Sequence, residues 1–110
     1  MLETPTAIDN AEAIAAVPGI DSLLIGTNDL TLEMGIPGQL GDERVVAAYE
    51  RVIAACQANG KYPGMGGVYT LDLMQRYIAM GARLILAGND FSLMMDAARG
   101  QATAVRDMLA

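Results

Sequence analysis

The sequence predicts an α/β protein of parallel strands and alternating helices, forming one domain over residues 1–110. Two observations support this fold class. Short apolar runs that end at a glycine alternate with stretches of helical periodicity, and one strand–glycine–acid unit occurs twice. Strands that alternate with helices form βα units with parallel strands and right-handed crossovers. Four such units fit this length, which is half of a (β/α)8 barrel, because a closed barrel needs eight units in about 250 residues.

The first half of the chain supplies two of these units. A barely begun strand at residues 1–3 precedes the Ala-rich stretch 6–16, which predicts one helix. The apolar run 20–25 ends at Gly26 and is typical of a strand buried on both faces. The segment "DLTLEM" at 29–34 then predicts a short helix.

The second half repeats the alternation. Asp42 can cap a helix whose apolar face carries Val45, Tyr49, Val52, Ile53 and Cys56. Residues 61–67 are a weaker strand candidate because they contain a proline and three glycines. Thr70 opens a further helix. The apolar run 82–87 predicts a strand buried on both faces, and the tail from Phe91 predicts a last helix.

An internal repeat supports the βα scheme. The segments "GIDSLLIG" at 19–26 and "GARLILAG" at 81–88 align with a glycine at both ends. Each is followed within three residues by an acid, Asp29 in the first copy and Asp90 in the second.

Composition excludes several classes of function. A net charge of −6 without a basic cluster argues against nucleic acid. No apolar stretch approaches the ~20 residues of a membrane span, and no signal peptide is visible. The single cysteine, Cys56, excludes an internal disulfide and favours a cytoplasmic location. The chain has no histidine, so an imidazole base cannot come from it.

Two acids follow predicted strands at the edge where parallel βα proteins hold their functional residues. Glu3 ends the first strand remnant, and Asp29 lies just past the second strand. Two carboxylates together with water and substrate oxygens suit a hard cation such as Mg²⁺ or Mn²⁺. Gly26 lets the backbone approach a ligand, and the amides of Asn28 and Asp29 can face an anion if they begin a helix. This combination fits a small 2-oxo acid.

Structural roles for the same residues remain open from spacing alone. Asp29 can be a helix N-cap, Glu3 a solvated acid near the terminus, and Asp90 a cap for the last helix. Cys56 fits a small buried hydrophobic residue.

The segment "ETPTAIDNAEAIAAVPGIDSLLIGTNDLTLEMG" resembles the metal-dependent 2-oxo acid aldolases of the HpcH/HpaI family. The family's spacing of 26 residues between its metal-binding Glu and Asp is matched by Glu3 and Asp29. Further along, "ANGKYPGMGG" and "MGARLILAGND" are similar to the family's seventh and eighth strands. The resemblance implies the C-terminal half of a (β/α)8 barrel.

The resemblance also implies roles for individual residues. Glu3 and Asp29 would bind the metal, with Co²⁺ as a further candidate, and the amides of Asn28 and Asp29 would hold the carboxylate of a pyruvate-like substrate in the loop that begins at Gly26. Met65 to Val68, Gly66 included, would line the pocket for an aldehyde. Thr27 stands where the family often has proline, which implies a less rigid loop. The family's base His and enolate-binding Arg lie on the other half of the barrel, so no catalytic residue is expected in this chain.

The first hypothesis is therefore the metal-binding half of a pyruvate aldolase or lyase, inactive alone, with pyruvate and an aldehyde as partners. Two alternatives are a non-catalytic half-barrel for assembly or binding and a citrate-lyase-like member that acts on an acyl-CoA thioester. A half-barrel leaves sheet edges unpaired, so a homo-oligomer is expected.

Overall fold

The computed structural model describes all 110 residues, and its centre is a three-stranded parallel sheet. The strands are β1 (Ser22–Gly26), β2 (Tyr62–Gly66) and β3 (Leu84–Ile85), in the order β1-β2-β3. On the free side of β1, Leu2 forms a single parallel bridge with Ile25. The predicted α/β class with parallel strands is confirmed, although the first strand is reduced to this bridge.

Six helices surround or follow the sheet: α1 (Pro5–Asp9), α2 (Ala11–Ala15), α3 (Thr27–Glu33), α4 (Glu43–Ala58), α5 (Leu71–Met80) and α6 (Asp90–Leu109). The single helix predicted over 6–16 is wrong, because the chain breaks at Asn10. The Asn10 side chain donates to the Thr6 carbonyl at 2.8 Å, and asparagine commonly competes with helix hydrogen bonds in this way.

The core lies between one face of the sheet and helix α4. The predicted apolar face of α4 is confirmed, since Val45, Tyr49, Val52, Ile53 and Cys56 are all buried. They pack in one cluster with buried side chains of β1 and β2, Leu23, Ile25 and Met65 among them. The helix begins where predicted, with the Asp42 carboxylate accepting from the Arg44 amide at 2.9 Å. Burial of an amphipathic face thus fixes α4 against the sheet.

The opposite face of the sheet explains why β2 is rich in glycine. A Cβ placed on Gly64 would lie 2.7 Å from Leu24 Cδ1 and 3.0 Å from Leu24 Cα. A side chain at Gly64 therefore has no room beside Leu24. The segment that was a weak strand candidate is the central strand of the sheet.

Burial on both faces, as predicted for the two apolar runs, is wrong. Strand β1 alternates, with Leu23 and Ile25 buried and Leu24 only partly covered. Around β3, Leu84 is 43% exposed and Leu86 42% exposed, and the strand is only two residues long. No helix of this chain covers that face.

The last helix, α6, forms as predicted but buries none of its residues. Its N-cap is Asn89, whose side chain accepts from the Ser92 amide at 2.8 Å, so Asp90 is not the cap. None of the helices combines the length and the apolar character that a bilayer span requires.

Candidate metal and substrate site

A cavity of about 160 Å³ opens at the carboxyl ends of β1 and β2. Of the site residues predicted from the sequence, only Met65 and Val68 do not line it. Its lining consists of Met1, Glu3, Gly26, Thr27, Asn28, Asp29, Gly66, Gly67 and Leu86. Because Gly26 pairs with Gly66 in the parallel register, the two strands end at the same level and their following loops meet.

The Glu3 side chain lies directly against Gly26. A Cβ placed on Gly26 would be 2.7 Å from Glu3 Cγ and 2.8 Å from Glu3 Oε1. The backbone at Glu3 is fixed by its neighbour Leu2, whose carbonyl accepts from the Gly26 amide at 3.0 Å. The glycine therefore makes room for the acid of the adjacent strand.

Asp29 occupies the first turn of α3, the helix that begins immediately after β1. The N-cap of this helix is Gly26, so the alternative that Asp29 is an N-cap is wrong. Asp29 is exposed, as is its neighbour Asn28. Its place in the first turn of α3 is one where negative charge is favoured.

The two acids of the cavity have no cationic partner. The ion pairs of the chain involve other carboxylates, those of Asp9, Glu12, Asp42 and Asp96. Neither Arg nor Lys lines the cavity. No cluster of three His, Cys, Asp or Glu side chains is present, so the protein supplies two carboxylates here. Two carboxylates at the wall of an open cavity fit a hard divalent cation that completes its shell with water and ligand oxygens.

Thr27 is fully buried, and its hydroxyl is used inside the protein. Its Oγ1 lies 2.7 Å from the Gly66 carbonyl and 2.8 Å from the Tyr49 hydroxyl. The side chain ties the start of α3 to both β2 and α4, and the expectation of a less rigid loop at this position stays a prediction. Because a carbonyl can only accept, the one proton of the Thr27 hydroxyl is donated to Gly66 and is not available to a ligand in the cavity.

The opposite wall is formed by Gly66 and Gly67. The Asn28 side chain donates to the Gly67 carbonyl at 3.3 Å, and a Cβ on Gly67 would lie 2.7 Å from Asn28 Nδ2. Gly67 also has a φ of +81°, a conformation that favours glycine. This close approach joins the β1 and β2 loops across the cavity.

Met65 and Val68, predicted to line the aldehyde pocket, are both fully buried in the core. Met65 lies one residue before the strand end, and its side chain points to the α4 side of the sheet. Gly66 and Gly67, the other two residues of that predicted stretch, do line the cavity.

Sequence reasoning missed Met1, Leu86 and Tyr49 in this region. Leu86 follows β3 and reaches the cavity, a position that the repeat at 81–88 could have indicated. Tyr49 supports the site from below through Thr27, but the sequence shows only that it belongs to the apolar face of α4.

Comparison with known proteins identifies the group to which this arrangement belongs. The family model described as HpcH/HpaI aldolase/citrate lyase matches residues 1–97. The chain belongs to the HpcH/HpaI aldolase/citrate lyase family. The resemblance stated from the sequence is thereby confirmed.

Relatives in this family include aldolases for several 4-hydroxy-2-oxo acids. The chain is 42% identical over 96 residues to the 4-hydroxy-4-methyl-2-oxoglutarate aldolase tasA of Hapsidospora irregularis, covering 86% of this chain and 36% of that protein. It is 35% identical over 112 residues to the 4-hydroxy-2-oxo-heptane-1,7-dioate aldolase of Escherichia coli, covering 96% of this chain and 42% of that protein. The chain thus spans well under half the length of these relatives.

Solved structures of the HpcH/HpaI family show the same arrangement of elements. A crystal structure of an HpcH/HpaI aldolase/citrate lyase family protein from Burkholderia cenocepacia J2315 superposes with a TM-score of 0.85 at 33% identity. That superposition covers 96% of this chain and 40% of the other. The HpcH/HpaI aldolase from Desulfitobacterium hafniense DCB-2 gives a TM-score of 0.78 at 29% identity, covering 93% of this chain and 40% of that one.

Proposed function

We propose that this chain is the metal-binding, C-terminal half of a (β/α)8 aldolase that cleaves a 4-hydroxy-2-oxo acid to pyruvate and an aldehyde, or forms it from them. The observation that carries the proposal is the placement of Glu3 and Asp29. Both acids line one cavity at the carboxyl ends of neighbouring strands, and neither is in an ion pair. The names of the relatives, which are aldolases for 2-oxo acids, support the reaction class.

In this proposal Glu3 and Asp29 hold Mg²⁺ or Mn²⁺, with Co²⁺ as a further candidate. The cation supplies Lewis-acid polarisation of the substrate ketone, which makes the neighbouring bond easier to break. Gly26 keeps the Glu3 carboxylate against the backbone of β1, since any side chain there would displace it. The packing of Glu3 on Gly26 thus fixes where this carboxylate meets the cavity.

Backbone groups on both sides of the cavity orient the substrate in this proposal. The amides of Asn28 and Asp29, in the first turn of α3, face the substrate carboxylate, and the backbone of Gly66 and Gly67 borders the aldehyde end of the cavity. The absence of side chains at these glycines leaves room for substrates of different length.

The chain does not supply the proton transfer. It has no histidine, and no arginine or lysine lines the cavity. We assign the base and the cation that steadies the enolate to the remaining part of a complete barrel. The isolated chain is then able to bind metal and substrate but not to turn over.

We also propose that the chain self-associates. Helix α6 buries nothing within the chain, although Phe91, Leu93 and Met94 near its start are each more than 60% exposed. Apolar surface of this extent on a helix is commonly covered by another chain.

The test of the metal site is a calorimetric titration of the 110-residue chain with Mn²⁺. The parent should bind one ion, and Glu3→Gln and Asp29→Asn should each weaken binding by at least about tenfold, because each removes one of two charged ligands. Glu33→Gln is the matched control, since Glu33 is an exposed acid on the same helix as Asp29 but outside the cavity. Equal binding by the parent and the Asp29→Asn variant would end the proposal.

A further inference from the structure

A chain of two hydroxyl groups connects the floor of the candidate site to helix α4. The Tyr49 hydroxyl lies 2.8 Å from Thr27 Oγ1, and Thr27 Oγ1 lies 2.7 Å from the Gly66 carbonyl. Both residues are almost completely inaccessible, Thr27 at 0% and Tyr49 at 1% exposure. The contact therefore lies in the core directly beneath the cavity.

The direction of the protons follows from the groups themselves. A carbonyl can only accept, so the Thr27 hydroxyl must donate its one proton to Gly66. The Tyr49 hydroxyl must then donate to Thr27 Oγ1. Burial raises the pKa of Tyr49, so its phenol keeps this proton across the ordinary pH range. Each hydroxyl thus donates its proton to one defined acceptor, and the order of donation is Tyr49 to Thr27 to Gly66.

The aromatic ring of Tyr49 is itself held in place. It stacks on Tyr77 of α5 with ring centroids 3.9 Å apart and an interplanar angle of 16°. The Tyr77 hydroxyl donates to the Leu40 carbonyl, in the loop before α4. The two rings therefore pack on each other, but their hydroxyls donate to different acceptors. Only the Tyr49 hydroxyl is connected to the candidate site, through Thr27.

Resting on the proposed function, we infer that Tyr49 is a positioning residue for the metal and carboxylate site, and that it acts through Thr27. Thr27 is the first residue of α3, and Asn28 and Asp29 follow it in the same turn. Holding the Thr27 side chain between α4 and the end of β2 fixes where this turn begins. The Asp29 carboxylate and the two amides are then presented at a constant distance from Gly66 and Gly67.

The hydrogen bonds of Thr27 restrain the start of α3 without the ring that a proline would provide at this position. A proline would restrict φ at this position by its own ring. A threonine leaves the backbone freer but offers a hydroxyl, and the structure shows that hydroxyl engaged on both sides. The position of residue 27 is therefore restrained by a hydrogen bond with Tyr49, where in a proline it would be restrained by the covalent ring.

The experiment compares Tyr49→Phe with Tyr77→Phe in the 110-residue chain. Both variants keep the aromatic ring and lose one phenolic hydrogen bond, but only Tyr49→Phe breaks the connection to Thr27. The readouts are Mn²⁺ affinity by calorimetry and hydrogen exchange at Leu30 and Thr31, whose amides close the first turn of α3. Tyr49→Phe should weaken Mn²⁺ binding and accelerate exchange by about fivefold each, the effect of one lost internal hydrogen bond, while Tyr77→Phe changes neither.

Two variants of Thr27, whose hydroxyl is the other partner in this hydrogen bond, provide the test if Tyr49→Phe folds poorly. Thr27→Val removes the hydroxyl at nearly constant shape and should reproduce both effects, whereas Thr27→Ser retains it and should restore parent values. Equal exchange rates in Tyr49→Phe and Tyr77→Phe, or loss in Thr27→Ser equal to that in Thr27→Val, would overturn the inference. If the parent itself does not bind Mn²⁺, the proposed function fails, and the exchange rates still decide whether Tyr49 positions α3.

Discussion

The Glu3 side chain occupies the space that a Cβ on Gly26 would take, with its Cγ 2.7 Å from that position. Gly26 is the last residue of β1, and Glu3 directly follows Leu2, which bridges to Ile25 of that strand. One of the two candidate metal ligands therefore depends on a glycine 23 positions further along the chain for its placement.

Gly26→Ala should weaken Mn²⁺ binding without unfolding the chain. Gly26 has a φ of −83°, which alanine adopts without strain, so the main consequence is displacement of Glu3. Moving a ligand by a methyl group should cost about tenfold in affinity, measured by calorimetry. Gly100→Ala is the control, because its surroundings are empty. Unchanged binding in Gly26→Ala would show that Glu3 is not a ligand.

Gly64→Ala should destabilise the sheet by about 1–3 kcal/mol, the usual cost of overpacking. The added Cβ would meet both the side chain and the backbone of Leu24, and backbone cannot move aside cheaply. Gly100→Ala should have the opposite sign, stabilising the helix by about 0.5–1 kcal/mol, because glycine is unfavourable inside a helix. Urea denaturation at neutral pH measures both. A stable Gly64→Ala variant would contradict the tight packing of β1 on β2.

The cap of α4 should give the chain a defined sensitivity to acid. The Arg44 guanidinium, together with the Arg44 amide, lowers the pKa of Asp42 from 3.8 to about 2. A lowered pKa in the folded state means that this stabilisation is complete above pH 3.8 and is lost as the pH falls towards about 2. The difference in melting temperature between the parent and Asp42→Ala should therefore shrink over that interval. A difference that stays constant down to pH 2 would exclude an ionised cap.

Self-association through α6 should be visible by light scattering. The parent should scatter as a species heavier than 11.6 kDa at micromolar concentration, since α6 exposes its apolar residues. Phe91→Ser with Val105→Ser should lower the mass, because both residues lie on α6 and are exposed. Val17→Ser is the control, an exposed apolar residue outside α6. A parent mass of 11.6 kDa would refute the proposal.

Aldol cleavage should be absent from the chain alone and restored by the missing part of the barrel. General base catalysis contributes ~10²–10⁴ in rate, and this chain has no histidine to supply it. With the other half supplied as a co-expressed or fused segment, Asp29→Ala should abolish metal-dependent pyruvate release, whereas Asp90→Ala should affect mainly stability. Pyruvate release by the 110-residue chain that is insensitive to EDTA would contradict the assignment of both metal and base.

The sequence pattern was sufficient to predict those elements that are determined by residues close together in the chain. The apolar face of α4 and its Asp42 cap follow from helical spacing and from a side chain that accepts a nearby amide. That Glu3 and Asp29 line the same cavity was also predictable, because parallel strands bring their carboxyl ends to one edge of the sheet.

Contacts between distant segments account for what the sequence did not show. The glycines of β2 lower its strand propensity, but Gly64 is needed to admit Leu24, which is 40 residues away in the chain. Met65 was placed in the pocket because its face of the strand could not be assigned. Thr27 was read as a looser substitute for proline, since its partner Tyr49 belongs to another helix.

The isolation of α6 has a consequence for how the chain responds to dilution. A 20-residue helix that buries none of its side chains within its own chain gains little from tertiary packing, and helices of this kind are marginal in water. The fraction of chains in which α6 is helical then depends on the concentration of the surface that it binds. The helical ellipticity of α6 and the thermal midpoint at which α6 melts then depend on protein concentration. The sheet and α4 unfold at a temperature that does not depend on concentration.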